Sequence, residues 1–319
     1  MPEHKERVEE RDGDWLKVGL SAPAAMIDAL SNFMTEIGSE GAFQESPDSP
    51  SPEGFLDPST REMLKAFLPV DVRLDERLAS LRAYIKSLAE IFPELERPTF
   101  QTEIVRDPGW GEAWKRYFKP LRASRHIVIK PTWEPFSPIN GDVVIEIDPG
   151  MAFGTGQHPS TRMCLEAIEE IFLPDRRARK RRVLDVGTGT GILGIACAKL
   201  GAERVLCVDI DPKATKIARA NALINQVEDR VEVLNRDVAA FTGPFHVIVA
   251  NLTADILIRL RPHLLRLLGS GGDLVISGIL DQNRPDVEAH FLSDALSLHR
   301  LIREKEWVCY VLRNGGRRP

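Results

Sequence analysis

The sequence predicts an α/β protein of two modules: a small α+β unit, then a larger one built on a parallel sheet with helices on both faces. Three observations lead there. The chain has 319 residues, and at roughly 150 residues per domain that length suggests about two domains. From Val183 onward, apolar runs of strand length alternate with stretches of helical spacing, the pattern of a parallel sheet covered on both sides. A glycine-rich loop follows the first of these strands and opens a helix, the context of a ligand-binding turn. With 43% hydrophobic and 28% charged residues, and only 23 Gly and 22 Pro, disordered and collagen-like chains are excluded. The longest apolar runs, such as Ile192 to Ala198, fall far short of the roughly 18 to 20 residues that span a bilayer. The charged opening M-P-E-H-K-E-R-V-E-E-R-D-G-D has no apolar secretion segment, so the expected location is the cytoplasm, with no membrane partner. Cys164, Cys197, Cys207 and Cys309 show no C-x-x-C spacing and are expected as reduced packing residues, with no disulfide and no metal site.

In the first third, W-L-K-V-G-L from Trp15 reads as a strand. Ala24 to Ile37 follows as an amphipathic helix through Met26, Ile27, Leu30, Phe33, Met34 and Ile37, whose spacings of three and four place them on one face. Gly38 ends that helix, G-A-F-Q-E-S offers a second strand, and S-P-D-S-P-S-P-E-G is a loop. A further strand is expected near Lys65 to Val70. Leu74 to Ile91 then carries Leu78, Leu81, Ile85, Leu88 and Ile91 at helical spacing, and T-F-Q-T-E-I-V closes the set. Strand, helix, strand, strand, helix, strand is the order of a ferredoxin-like module, here over residues 1–100. Residues 101–145 are expected as a connector, with Trp110, Trp114 and Tyr117 on one helix face and Trp133 beyond them.

Residues 146–319 supply the parallel sheet. The strands are V-L-D-V, R-V-L-C-V-D, V-E-V-L-N, F-H-V-I-V-A and D-L-V-I-S-G; the helices are Gly191–Leu200, Pro212–Ile224, Ala254–Leu268 and Arg284–Leu296. Pro262 falls inside a helical pattern, so a kink or restart is expected there. Leu298 to Lys305 and Trp307 to Arg313 are placed as an antiparallel hairpin at the sheet edge.

Charge is unevenly spread. Residues 1–100 hold 20 Asp and Glu against 11 Lys and Arg, a net of −9, whereas the rest of the chain is +4. The acidic part is either a solvated surface or an attractor for a basic polypeptide, such as a ribosomal protein. Arg176 to Arg182, R-R-A-R-K-R-R, is either a solvated loop or a minor contact for RNA phosphates.

The chemistry concentrates in V-L-D-V-G-T-G-T-G-I-L-G, with Gly187, Gly189, Gly191 and Gly194. Read from Gly189 the string also satisfies the G-x-G-x-x-G dinucleotide fingerprint, so a nicotinamide-dependent oxidoreductase is the rival reading. Asp185 separates the two. A carboxylate under the loop repels a pyrophosphate but attracts the ammonium and sulfonium of S-adenosylmethionine. Asp209 lies 18 residues after Gly191, where a carboxylate accepts both hydroxyl hydrogens of a ribose. Asp237 ends the third strand and either meets an adenine edge or caps the next helix. Asn251, in N-L-T-A, is placed to orient an acceptor amine in line with the donor, while Thr253 fits the helix cap. Ala254 cannot stack on a planar base, which counts against base methylation.

Upstream lies D-P-G-M-A-F-G-T-G-Q-H-P-S-T-R, Asp148 to Arg162. With the glycine loop, V-D-I-D-P and V-A-N-L-T-A in this order, it resembles the PrmA family, ribosomal protein methyltransferases acting on the stalk-base protein of the large subunit. The resemblance covers nearly the whole chain. It implies a ferredoxin-like substrate-recognition domain joined by a linker to a seven-stranded, Rossmann-like class I methyltransferase domain. It also implies methylation of lysine side-chain and N-terminal amines on that ribosomal protein. Thr161, Gly187, Asp209 and Asn251 then become donor-binding residues, with Phe153, Gly154 and the neighbouring glycines folding over the methionine part. Asp185, Gly189 and Asp237 complete the expected site, and Asn251 is the expected catalytic residue. His158 is read as ordering its loop rather than as a base. Ser160 stands where the family commonly has Thr. A lysine methyltransferase of another protein and a non-catalytic ribosome assembly factor remain alternatives.

Overall fold

Alternation sets the first unit. In the computed structural model, which describes residues 14–39, 42–45, 61–105, 119–139, 141–148, 156, 158–173, 181–292 and 296–315, β1 (Trp15–Pro23) alternates half-buried and buried positions. Leu16, Val18, Leu20 and Ala22 face a core shared with α1 (Ala24–Glu36) and α2 (Leu74–Ile91). The sheet adds β2 (Ala42–Glu45), β3 (Arg61–Pro69) and β4 (Thr99–Val105) in the order β2-β3-β1-β4, all antiparallel. The third strand begins at Arg61, four residues before its expected start, because Met63 and Leu64 continue the pairing with β1. Among the described residues, helices α1 and α2 cover one face, a usual arrangement for an antiparallel sheet.

The chain divides into two compact units between Tyr117 and Phe118. Residues 119–145, expected as connector, thus belong to the second unit, where with Glu146 they form β5 (Leu121–Arg122), β6 (Ile127–Lys130) and β7 (Val143–Glu146). β6 pairs antiparallel with β5 and parallel with β7. Ile127, Ile129, Ile145 and Ile147 join the main core. Trp110, Trp114 and Tyr117 lie outside the described residues.

The second unit is doubly wound. After α3 (Pro159–Phe172) come β8 (Arg182–Val186), α4 (Ile192–Lys199), β9 (Arg204–Asp209), α5 (Pro212–Ile224), β10 (Val231–Asn235), β11 (Phe245–Asn251), α6 (Ala254–Leu267), β12 (Leu268–Leu280), α7 (Arg284–Phe291), β13 (Leu296–Glu304) and β14 (Trp307–Asn314). The sheet runs β10-β9-β8-β11-β12-β14-β13, parallel through β12 and antiparallel on both sides of β14. Successive residues of a strand serve opposite cores. Val183, Val205, Val247 and Val275 pack under α3, α4 and α5, while Leu184, Ile248, Leu274 and Ile276 pack with α6 and α7. All four cysteines are free and buried.

Two expectations are corrected. α6 does not restart at Pro262 but continues through it as one helix, its buried Leu257, Leu264 and Leu267 holding one face to the sheet across the missing N–H. α7 ends at Phe291 rather than Leu296, because Leu296 already pairs with Asn314 in β13. The final hairpin lies at the sheet edge, as expected. β14, V-C-Y-V-L, is buried along its length and lies inside, whereas half-exposed β13 takes the edge.

Candidate functional site

The order of strands reverses at β8, which has β9 on one side and β11 on the other, and ligands of open α/β sheets bind in the crevice above such a switch point. Three loops meet there. The glycine loop leaves β8 with positive φ at Gly187 (69°), Gly189 (55°) and Gly191 (84°), a backbone region closed to most side chains. It is tied down by Gly187 N–H and Thr188 N–H donating to Val208 O at 2.9 and 3.1 Å. A Cβ on Gly187 would lie 2.5 Å from Leu252, and one on Gly191 would lie 3.1 Å from Ala218. Gly194, inside α4, leaves room for the Asp185 carboxylate, 3.2 Å from where its Cβ would stand.

Asp185 is 1% exposed. Its Oδ2 accepts from the Thr188 hydroxyl at 2.6 Å and from Gly194 N–H at 3.0 Å, while its buried Oδ1 has no hydrogen-bond partner. Burial pushes the carboxyl up to about 6, with the Asp209 charge adding to the rise against the pull of the Thr188 and Gly194 hydrogen bonds. Asp209 closes β9; its Oδ2 accepts from Gly189 N–H at 3.0 Å and its Oδ1 from Asp211 N–H at 2.9 Å. Asp237 sits exposed at the end of β10 and caps the short 3₁₀ turn Val238–Ala240, accepting from Ala239 N–H at 2.8 Å. That is the second of the two roles expected for it.

On the other side of the crevice the last residue of β11 meets the first turn of α3. Asn251 Nδ2 donates to Thr161 Oγ1 at 3.3 Å, joining residues 90 positions apart, and the buried Asn251 Oδ1 has no partner. Gly278 (φ 81°) brings a bulge of β12 against this corner: a Cβ there would lie 2.9 Å from Asn251 Oδ1 and 2.6 Å from Leu252 O. Thr253 occupies the cap position of α6 without a side-chain bond to its amides. His158 caps α3, its Nδ1 accepting from Ser160 N–H at 3.2 Å, and stacks edge-on against Trp307. Phe153 and Gly154 lie outside the described residues. Of the basic run, Arg181 pairs with Asp273 at 3.4 Å and Arg182 lies over the Phe245 ring; positions 176–180 are outside the described residues.

The site therefore presents two buried oxygens without partners, Asp185 Oδ1 and Asn251 Oδ1, beneath and beside a loop that lets backbone approach closely. Such a donor-poor cradle suits a ligand that brings its own N–H groups and positive charge. Leu252 and Gly278, which shape the corner, were absent from the expected site; the signal for Gly278 was a lone glycine at the end of V-I-S-G, the mark of a bulge or close approach.

A model of the family described as ribosomal protein L11 methyltransferase (PrmA) matches residues 14–315. The chain belongs to that family. The chain is 40% identical over 309 residues to the ribosomal protein L11 methyltransferase of Geobacter sulfurreducens, covering 96% of this chain and all of that one. It is 40% identical over 304 residues to the same-named protein of Pelobacter propionicus, covering 95% and 98%. Among solved structures, the ribosomal protein L11 methylase of Lactobacillus delbrueckii subsp. bulgaricus superposes with a TM-score of 0.57 at 32% identity, over 62% of this chain and all of that one. The seven-stranded unit has the class I methyltransferase fold of its PrmA relatives, and the dinucleotide reading of the glycine loop falls with that membership.

Proposed function

We propose that this PrmA-family chain transfers methyl groups from S-adenosylmethionine to ribosomal protein L11, the large-subunit stalk-base protein, at lysine side-chain and N-terminal amines. The observation that carries the reading is the buried, half-satisfied Asp185 carboxylate under a positive-φ glycine loop, a place for a cation and a poor one for a pyrophosphate. The donor's sulfonium supplies an already activated methyl group. Asp209 stands at the end of β9 to accept from ribose hydroxyls, with the glycine loop alongside. Asn251, its amide nitrogen held by Thr161, offers Oδ1 to an N–H of the incoming amine and so aims the amine lone pair. The amine attacks as the neutral form, although a lysine ordinarily titrates near ~10.4. Thr161, Leu252 and Gly278 around Asn251 are uncharged, so entry strips water from the ammonium and favours proton loss. His158 spends Nδ1 on its cap and is not assigned as base. The residue 1–100 module, read as ferredoxin-like, is assigned to substrate recognition, and Arg176–Arg182 to a minor RNA contact.

The test is intact-protein mass spectrometry of purified L11 incubated with the enzyme and S-adenosylmethionine, beside an Asp209→Ala control. Methyl-sized increments that vanish in the control are expected, with peptide mapping placing them on amines. Donor binding without any increment on L11 would overturn the substrate assignment.

A further inference from the structure

Two buried asparagines, Asn221 in α5 and Asn225 at its C-cap, form a line from the glycine loop to the strand that leads into the Asp148–Thr161 segment. Asn221 and Asn225 are each 4% exposed and stand four residues apart, on one face of the helix. Asn221 Nδ2 donates to Thr190 O at 2.8 Å. The N–H of the same peptide unit, on Gly191, donates to Thr188 O at 2.8 Å. Both polar ends of the peptide between Thr190 and Gly191 are thereby held, and it cannot rotate without breaking one of these bonds. That peptide enters α4 through Gly191, whose φ of 84° only glycine adopts readily.

Asn225 works at the other end. Its Oδ1 accepts from Glu146 N–H at 2.9 Å, and its Nδ2 donates to Glu146 O at 2.7 Å. β6 pairs with β7 along one side only, through contacts such as Ile147 N–H to Lys130 O at 3.0 Å. On the opposite side, the Asn225 amide satisfies both backbone groups of Glu146 as a neighbouring strand would. Nδ2 also donates to Asn221 O at 2.9 Å, joining the two asparagines. Two residues beyond Glu146, Asp148 is held in turn by Thr132 N–H at 2.6 Å and the Thr132 hydroxyl at 2.9 Å.

We infer that Asn221 and Asn225 are positioning residues of the donor site, holding the glycine loop and the end of β7 at a fixed spacing before any ligand arrives. The inference rests on the reading of the glycine loop as the donor site. A leucine at either position fills similar volume but removes the bond to Thr190 O, or both bonds to the Glu146 backbone. Preorganisation is what the relay contributes: without it, the loop must be ordered at the moment of binding.

The test has two arms. In the ligand-free full-length protein, amide hydrogen exchange is followed by NMR at Gly191 and at core β8 and β11 amides such as Val183 and Val249. Asn221→Leu is expected to speed exchange at Gly191 by about tenfold, the size of one buried hydrogen bond, with the core amides unchanged. In the second arm, isothermal titration with S-adenosylhomocysteine is expected to show Kd weakened about tenfold for Asn221→Leu and for Asn225→Leu. The double variant should lose less than the product of the two, because both act along one line. Gly191 exchange and Kd within twofold of the wild type would overturn the inference, as would core and loop amides accelerating together with Kd unchanged, which assigns the pair to general stability. Should a leucine variant fail to fold, Asn221→Ser and Asn225→Asp are read by the same criteria. A wild type that does not bind S-adenosylhomocysteine would bring down the donor reading instead, and the exchange arm, made without ligand, still decides whether the asparagines order the loop.

Discussion

Donor binding should depend on pH through Asp185, and the direction follows from burial. In the ligand-free protein the carboxyl is pushed up to about 6 by burial from an ordinary 3.8. An unfolded chain releases that proton near its ordinary value, so between the two pH values the folded state holds more protons than the unfolded one. The contribution of Asp185 to stability is therefore fully present below about pH 4 and is lost as pH rises through about 6, on the order of 3 kcal/mol for a shift of about two units. A bound cation acts in the opposite sense, because it favours the charged form that burial penalises. Above about pH 6, S-adenosylmethionine meets a carboxylate already ionised. Below it, a proton must leave first, and affinity falls toward tenfold per pH unit. At about pH 5 roughly one molecule in ten is ionised at Asp185, so Kd should be about tenfold weaker than at about pH 7.5.

Isothermal titration at fixed ionic strength, in two buffers of different ionisation enthalpy, measures both the affinity and the proton released. Release should be close to one proton at the acid end and close to zero at the alkaline end. Asp185→Asn, which keeps an acceptor for Thr188 and Gly194 but does not titrate, should bind weakly with a flat profile. Equal affinity at both pH values in the wild type would refute the reasoning, and so would the same slope in the Asn variant.

Two further outcomes test the geometry. Gly278→Ala puts a Cβ 2.9 Å from Asn251 Oδ1 in a left-handed backbone. With a cost on the order of 1–3 kcal/mol, kcat on L11 should fall at least about tenfold while the donor Kd moves less than about threefold; unchanged kcat would detach Gly278 from the acceptor corner. Leu81→Ala empties a fully buried position of α2 and should cost the first unit about 2–5 kcal/mol. Donor titration should remain within about twofold of the wild type while methylation of L11 weakens on warming, and a parallel loss of donor binding would contradict the division of labour between the units.

What was legible in the sequence follows from how local each signal is. Leu74–Ile91 and Thr99–Val105 occur as read, because five apolar residues at helical spacing and a β-rich heptad announce themselves without help from elsewhere. I-V-I-K and V-V-I-E read as connector. Runs of three apolar residues carry no period, and these two become strands by pairing with each other across 16 residues, with β5 added on the far side of β6. The hairpin and its edge position were legible, but which of its strands lies beside β12 was not, since that is a choice of neighbours rather than of conformation. The carboxylates were legible because each ends a recognisable strand. Asn221 and Asn225 were not, because a polar residue in an amphipathic helix reads as solvent-facing until a buried backbone group is found opposite it. The acidic surplus also changes meaning. Of the net −9 of residues 1–100, −6 falls on residues 1–13, 40–41 and 46–60, outside the described structure, and the described part carries only −3. A charge argument for a basic partner therefore concerns chiefly those segments, not the four-stranded sheet.

The choice of asparagine at the site has a physical reason. Three asparagines in and behind the site hold backbone or hydroxyl groups with an amide: Asn221 at Thr190, Asn225 at Glu146 and Asn251 at Thr161. An aspartate at any of them would lose the N–H donor and add a negative charge to a unit whose Asp185 carboxyl is already raised by burial and by Asp209. A lysine would compete with the donor's own positive charge for the unpaired Asp185 oxygen. An amide donates and accepts without either effect, so the local field is left to Asp185 and the arriving cation, the pair whose attraction a low-dielectric setting strengthens most. The same neutrality governs the acceptor side. There the amine must become uncharged before it reacts, and a carboxylate in place of Asn251 would hold it as ammonium. Asn251→Asp should therefore bind the donor while transferring methyl far more slowly at neutral pH, with activity recovering as pH rises toward the range where lysine deprotonates.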